Sequence, residues 1–218
     1  MRRNIFPGLD IPVSVHSFYN LDILRVDHFR GFEAFWSIPY GEPTAVNGEW
    51  VKAPGHALFS AVRDAFEGNL PIIAEDLALS PRKWKLLRDE FGFPGMKVLQ
   101  FAFDSLDEGS YLSHRYTSPV CVCYTGTHDN DTTRSWYQTL RPECRDKVRR
   151  YTHCSNDTHF PLDLIGTALA SVAAYAIFPL QDVLCVGAEG RMNTPGIGAG
   201  NWSWRYQQSA LKNELADE

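Results

Sequence analysis

With 218 residues, 44% of them hydrophobic and 22% charged, the chain has the composition of an ordinary globular protein, and one domain or most of one is the expectation. Its net charge of -5, with Lys and Arg dispersed, gives no basic footprint for nucleic acid or an anionic membrane surface. The five cysteines, Cys121, Cys123, Cys144, Cys154 and Cys185, show no C-x-x-C pair and no repeated ligand spacing, so they read as reduced thiols of a cytoplasmic protein without a metal site.

The opening MRRNIFPGLDIPVSV has two arginines, but Pro7, Gly8, Asp10 and Pro12 interrupt any apolar signal core, and 1–21 reads as an atypical leader. DILRV (22–26) is a short apolar run suited to a buried parallel strand, and it ends on Asp27. HALFSAVRDAFEG (56–68) follows as a helix with Leu58, Val62 and Phe66 on one stripe and a glycine stop. LPIIA (70–74) is a second strand, running into Glu75 and Asp76. SPRKWKLLRDEFG (80–92) is a second helix, with Ser80 as N-cap, Pro81 in the first turn and Gly92 at the C-terminus. Further strands are expected at MKVLQFAF (96–103), VCVCY (120–124) and AYAIFPL (174–180), the second of them opening into TGTHDND. ALASVAAYAIFPL, the longest apolar stretch, is too short to span a bilayer. Residues 207–218 form a polar tail. Alternating strands and helices predict an α/β chain with a mostly parallel sheet.

Asp27, Glu75 with Asp76, and the acids of TGTHDND all stand at the carboxyl ends of predicted strands. In a (β/α) barrel that rim collects the groups that do chemistry, and an open doubly wound sheet uses the same ends. An acid in such a place also serves as the N-cap of the next helix. Two carboxyls facing one bond suit glycoside chemistry, one as nucleophile and the other as a protonated acid. Arg25 and Arg30 flank Asp27, where one of them favours its ionised form. Phe29, Phe35, Trp36, Trp50 and Trp136 offer either stacking platforms for sugar faces or core packing, and we read Phe35 and the phenylalanines of LQFAF as core. His28 and His128 adjoin candidate acids, either to hydrogen-bond sugar hydroxyls or as satisfied core histidines. No glycine-rich phosphate loop follows any strand.

The ordered series LRVDHFRGFEAFWSIP, GEWVKAPG, IIAEDL, FGFPGMKVLQFAF, YTGTHDNDTT, PLQDVL and RMNTPG…GNWSWR resembles the second half of the amylomaltases, the 4-α-glucanotransferases also called disproportionating enzymes. The resemblance covers about 22–206. It implies a (β/α)8 TIM barrel of the α-amylase-like clan and retaining transfer of a maltooligosaccharyl segment, from a maltooligosaccharide, starch or glycogen-type donor to the 4-hydroxyl of glucose or a maltodextrin. Matched motif by motif, Asp27 is the nucleophile, Glu75 the general acid/base and Asp129 the transition-state stabiliser. Arg25 and His128 match sugar-contacting positions, and His28, Trp36 and Asn130 join the expected substrate-binding set. Glu75 then needs a raised pKa to donate its proton. The mechanism requires neither metal nor organic cofactor.

Family members carry the nucleophile near the middle of a chain about twice as long. The resemblance therefore implies a partial barrel, about strands four to eight, completed by a missing N-terminal half or by self-association. Smaller departures are Ala78 after AEDL and Ala53 in VKAPG, where the family has glycine. Two other readings stay open: a retaining α-1,4-glucan hydrolase using the same carboxylates, and a non-catalytic glucan-binding fragment.

Overall fold

The computed structural model describes residues 21–68, 70–77, 83–104 and 109–216. The leader up to residue 20, the caps Ser80 and Pro81, and Ala78 lie outside them. The chain divides into two compact units, one ending at Met96 and the other beginning at Lys97.

In the first unit, β1 (Leu24–Val26) pairs in parallel with β4 (Ile72–Ala74), placing Val26 opposite Ala74. The ladder continues past both strands, since the Glu75 amide donates to the Val26 carbonyl at 2.9 Å. Every residue of β4 is buried, as expected of an apolar run covered on both faces. Between these strands lie β2 (Ala34–Ser37), β3 (Glu49–Lys52) and α1 (Gly55–Ala65), with α2 (Lys83–Glu90) after them. Of the expected stripe only Val62 is buried; Leu58 and Phe66 are half-buried, Phe66 standing just past the helix end, and Phe59 takes the second buried place. Beyond α2, Gly92 adopts φ 69° and the Phe93 amide donates back to the Arg88 carbonyl at 3.1 Å, the left-handed C-terminus predicted for that glycine. Phe29, Phe59, Ile72, Ala74, Leu87 and Phe93 form this unit's core.

β2 and β3 form an antiparallel hairpin with Trp36 opposite Trp50, an element absent from the expected set. Its strands are short, and the turn-forming residues Pro39, Gly41, Pro43 and Gly48 between them dominate the local signal.

β5 (Gly95–Val98), β6 (Cys121–Tyr124) and β7 (Tyr175–Ile177) form a three-stranded sheet in that order, with β6 and β7 parallel. The second unit holds β6, β7, α3 (Thr133–Thr139), α4 (Pro142–Thr152), α5 (Phe160–Leu169) and α6 (Leu180–Val183). Its core gathers Leu99, Phe103, Tyr137, Val148, Phe160 and Leu164, with the rings of Tyr137 and Phe160 stacked at 4.0 Å.

Two strand expectations are corrected here. MKVLQFAF is extended only as far as Val98; Leu99–Ala102 turns into a 3-10 helix, closed by the Phe103 amide on the Gln100 carbonyl. Its apolar residues are buried by turning into the core, so a run of this length did not require a strand. AYAIFPL pairs as a parallel strand over Tyr175–Ile177, but it is not a buried one, with Tyr175 49% and Ile177 43% exposed. None of the five cysteines forms a disulfide. Among the described residues no helix is long and apolar enough to cross a membrane.

Candidate active site

The parallel pairing of β1 with β4 sets Asp27 and Glu75 one residue beyond paired positions, so strand register alone makes them neighbours. Arg25 Nη2 meets Asp27 Oδ1 at 2.8 Å, the ion pair that the flanking arginine predicts. Arg25 is itself steadied by Nε on the Met96 sulfur at 3.3 Å. The Asp27 side chain stays 68% exposed and so open to a ligand. Arg30 takes another role, its guanidinium lying 4.2 Å over the Trp50 ring.

Glu75 is held by main-chain donors. The His28 amide donates to Oε2 at 2.8 Å and the Leu77 amide to Oε1 at 3.0 Å, while the Phe29 amide donates to the Glu75 carbonyl at 3.1 Å. His28 turns its amide onto that carboxylate from the left-handed region, at φ 46° and ψ 50°, a conformation histidine tolerates better than most residues. Its ring is exposed, which excludes the core-histidine reading. The adjacent acid, Asp76, is structural: it accepts from the Met96 amide at 2.7 Å and pairs with Arg88. A Cβ on Gly95 would stand 2.5 Å from Asp76 Oδ2 and 2.6 Å from Arg88 Nη1, so a larger residue there requires that ion pair to shift.

Asp129 belongs to the second unit, in the loop between β6 and α3. Its Oδ1 accepts from Asn193 Nδ2 at 2.5 Å, its carbonyl accepts from Arg191 Nη2 at 3.1 Å, and His128 Nε2 lies 3.5 Å from Oδ2. The Asn193 amide donates to the His128 carbonyl, and the Trp202 ring lies 5.1 Å from the imidazole. Asn130 is engaged within its own loop, its Oδ1 accepting from the Thr127 amide and hydroxyl. A cavity of about 120 Å3 opens beside this loop, lined by His128, Asn130, Asp131, Gln181 and Arg191 among others.

Of the expected residues, the structure therefore brings Arg25, Asp27, His28 and Glu75 together in one unit, and His128, Asp129 and Asn130 together in the other. Trp36 does not join the first group. It sits on the hairpin, donating from Nε1 to the Ala45 carbonyl and meeting Trp50 edge to face at 5.4 Å. The core reading of Phe35 is overturned, since it is 47% exposed on β2, while Trp136 and Phe103 are core. Sequence reasoning missed Arg191, Asn193 and Trp202 as partners of the Asp129 loop. Their signal was present in RMNTPG…GNWSWR, but nothing local ties that segment to THDND. Among the described residues no group of three or more His, Cys, Asp or Glu side chains is placed to hold a metal ion.

Comparison with known proteins decides the family. Residues 13–211 match the family model described as 4-alpha-glucanotransferase. The chain belongs to the 4-α-glucanotransferase family. The 4-alpha-glucanotransferase of Synechocystis is 52% identical over 196 residues, covering 90% of this chain and 39% of that protein. The same-named protein of Thermus thermophilus is 48% identical over 202 residues, with the same coverage of 90% and 39%. Among solved structures, amylomaltase from Streptococcus agalactiae in complex with acarbose matches with a TM-score of 0.88 at 32% identity, over 93% of this chain and 41% of that one. The chain thus has the mixed α/β fold of an amylomaltase, and it spans about two-fifths of the length of the curated 4-α-glucanotransferases it matches.

Proposed function

We propose that this chain carries the retaining chemistry of a 4-α-glucanotransferase, transferring a maltooligosaccharyl segment of a starch, glycogen or maltodextrin donor to the 4-hydroxyl of glucose or another glucan. The observation that carries the reading is the pairing of an exposed Asp27, oriented by Arg25, with a Glu75 fixed in the next register position by two amides. In the first step an Asp27 carboxylate oxygen attacks the anomeric carbon while Glu75 gives its proton to the departing glycosidic oxygen, leaving a glycosyl ester on Asp27. In the second, Glu75 takes the proton from the acceptor 4-hydroxyl, whose oxygen displaces Asp27. Asp129 stabilises the positive charge that develops on the sugar in both steps. Arg25, His28, His128, Trp36 and Asn130 complete the proposed substrate contacts.

The same reading makes 22–206 a part of a (β/α)8 barrel, about strands four to eight, between a leader at 1–21 and a tail at 207–218. The exposed Tyr175 and Ile177 on β7 fit a strand that another strand covers, supplied by the remainder of the family's length or by self-association. Reduced thiols fit a cytoplasmic location.

The test is incubation of the purified chain with maltotriose and separation of the products by length. Glucose together with maltopentaose and longer chains is the expected result. Glucose and maltose without longer chains would replace the reading with a hydrolase, and saturable binding without products would replace it with a binding module.

A further inference from the structure

The loop at 126–132 carries His128, Asp129 and Asn130. It leaves β6 at Thr125 and re-enters regular structure at Thr133, the first residue of α3, and both threonines are fully buried. Both hydroxyls converge on one atom. Thr125 Oγ1 donates to Asp182 Oδ2 at 2.6 Å and Thr133 Oγ1 donates to the same oxygen at 2.8 Å, while the Thr133 amide donates to Oδ1 at 3.2 Å. Asp182, in α6, is 1% exposed. A carboxylate at that depth is costly unless its lone pairs are used, and packing alone would be served by an apolar residue. Here one side chain, 57 residues from Thr125 and 49 from Thr133, ties down both feet of the loop.

The same short helix also anchors what holds Asp129 from its other side. Gln181, beside Asp182, donates through Nε2 to the Gly190 carbonyl at 3.0 Å. The next residue, Arg191, donates to the Asp129 carbonyl, and Asn193 to its carboxylate. Arg134, one residue beyond Thr133, donates to the Cys185 carbonyl at 2.8 Å and closes α3 against the end of α6. The loop and the segment that grips it are therefore referenced to one helical turn.

We propose that Asp182 is a positioning residue for Asp129: its buried carboxylate clasps Thr125 and Thr133 and so sets where the Asp129 carboxylate stands relative to Asn193. The catalytic consequence rests on the reading of Asp129 as the transition-state stabiliser; the clasp itself does not.

The experiment uses the 15N-labelled full chain with the variants Asp182→Asn, Thr125→Val and Thr125→Ser, and Asp129→Ala as reference. Asp182→Asn leaves one acceptor oxygen where the carboxylate has two, Thr125→Val removes one donor with little change of shape, and Thr125→Ser keeps it. D182N and T125V are expected to move the Asn193 side-chain amide resonances toward their D129A positions and to speed amide exchange across 128–130 by about tenfold, the equivalent of one lost charge-assisted hydrogen bond. T125S should keep the parent values. In the maltotriose assay, D182N and T125V should lower kcat by about tenfold or more with KM within about threefold, the pattern of an interaction made in the transition state. Unchanged Asn193 resonances and loop exchange in a folded T125V or D182N would overturn the clasp, and T125V decides it if D182N does not fold. Absence of transfer by the parent chain would count against the proposed function, while the resonances still decide the clasp.

Discussion

Asp27 and Glu75 stand at the ends of two paired strands, and most of what holds Glu75 is main chain: the amides of His28 and Leu77 on its carboxylate, and the Val26 carbonyl on its own amide. Asp129 stands in a loop, and its carboxylate is met by the side chains of Asn193 and His128 while Thr125, Thr133 and Asp182 secure the loop's feet. Main-chain donors survive substitution of the residues that supply them, whereas each side-chain bond at Asp129 can be deleted by one mutation. The first region should therefore be sensitive chiefly at the acids themselves, at Arg25, which pairs with Asp27, and at backbone-determining positions. The second should be sensitive at residues that never reach a substrate.

Four experiments sharpen or break that contrast. The largest effect is expected from removing the proposed proton donor: E75Q should lower transfer by roughly 10²–10⁴-fold, the usual worth of a general acid/base, with the melting temperature nearly unchanged, read from maltotriose products and a thermal melt. Comparable activity in E75Q and the parent would remove Glu75 from the assigned role. Next, N193A deletes the side-chain donor to Asp129 and should cost about tenfold in kcat, the low end for a bond to a charged group because the pair is solvent-exposed. If N193A leaves kcat untouched, Asp129 is held by its own loop and the contrast collapses.

A smaller effect, on stability, belongs to the first region. G95A places a methyl against Asp76 and should destabilise by about 1–3 kcal/mol, lowering the melting temperature by several degrees in a chain of this size. An unchanged melt would show that Asp76 and Arg88 yield at no cost.

The smallest effect is a slope. Burial pushes the Asp182 carboxyl up from its ordinary 3.8, while the bonds from Thr125 and Thr133 pull it part of the way back. Because the folded form holds this proton more tightly than the unfolded form, the contribution to stability is full below pH 3.8 and is lost as pH rises from there through the folded-state value. His128, Asp131 and Arg191 line the same cavity and are common to variant and parent, so the difference between them isolates Asp182. Chemical denaturation across that window should show D182N with a flatter pH dependence than the parent; equal slopes would mean that Asp182 does not titrate there.

Much of the first region was legible in the sequence. DILRV and IIA are apolar runs that end abruptly in charge, so a parallel strand pair with acids at its carboxyl end followed from period and punctuation, and Arg25 two residues before Asp27 placed the guanidinium on the same side of the strand. The hairpin was not legible, because its four-residue strands carry too little alternation to outweigh the turn residues between them. Nor was the end of β5, where burial of Leu99 and Phe103 is achieved by a 3-10 turn that an apolar run does not distinguish from a strand.

By itself the sequence determined the α/β class, the strand ends that carry Asp27, Glu75 and Asp129, and, through its ordered motifs, the family, because those depend on local periodicity and on which residues stand next to each other. Only the tertiary structure decided that Asn193 and Arg191 serve Asp129 and that Asp182 closes on Thr125 and Thr133. Those bonds join residues that chain separation leaves unrelated until the helices and strands pack, and around Asp182 burial then leaves each polar atom with few partners to choose from.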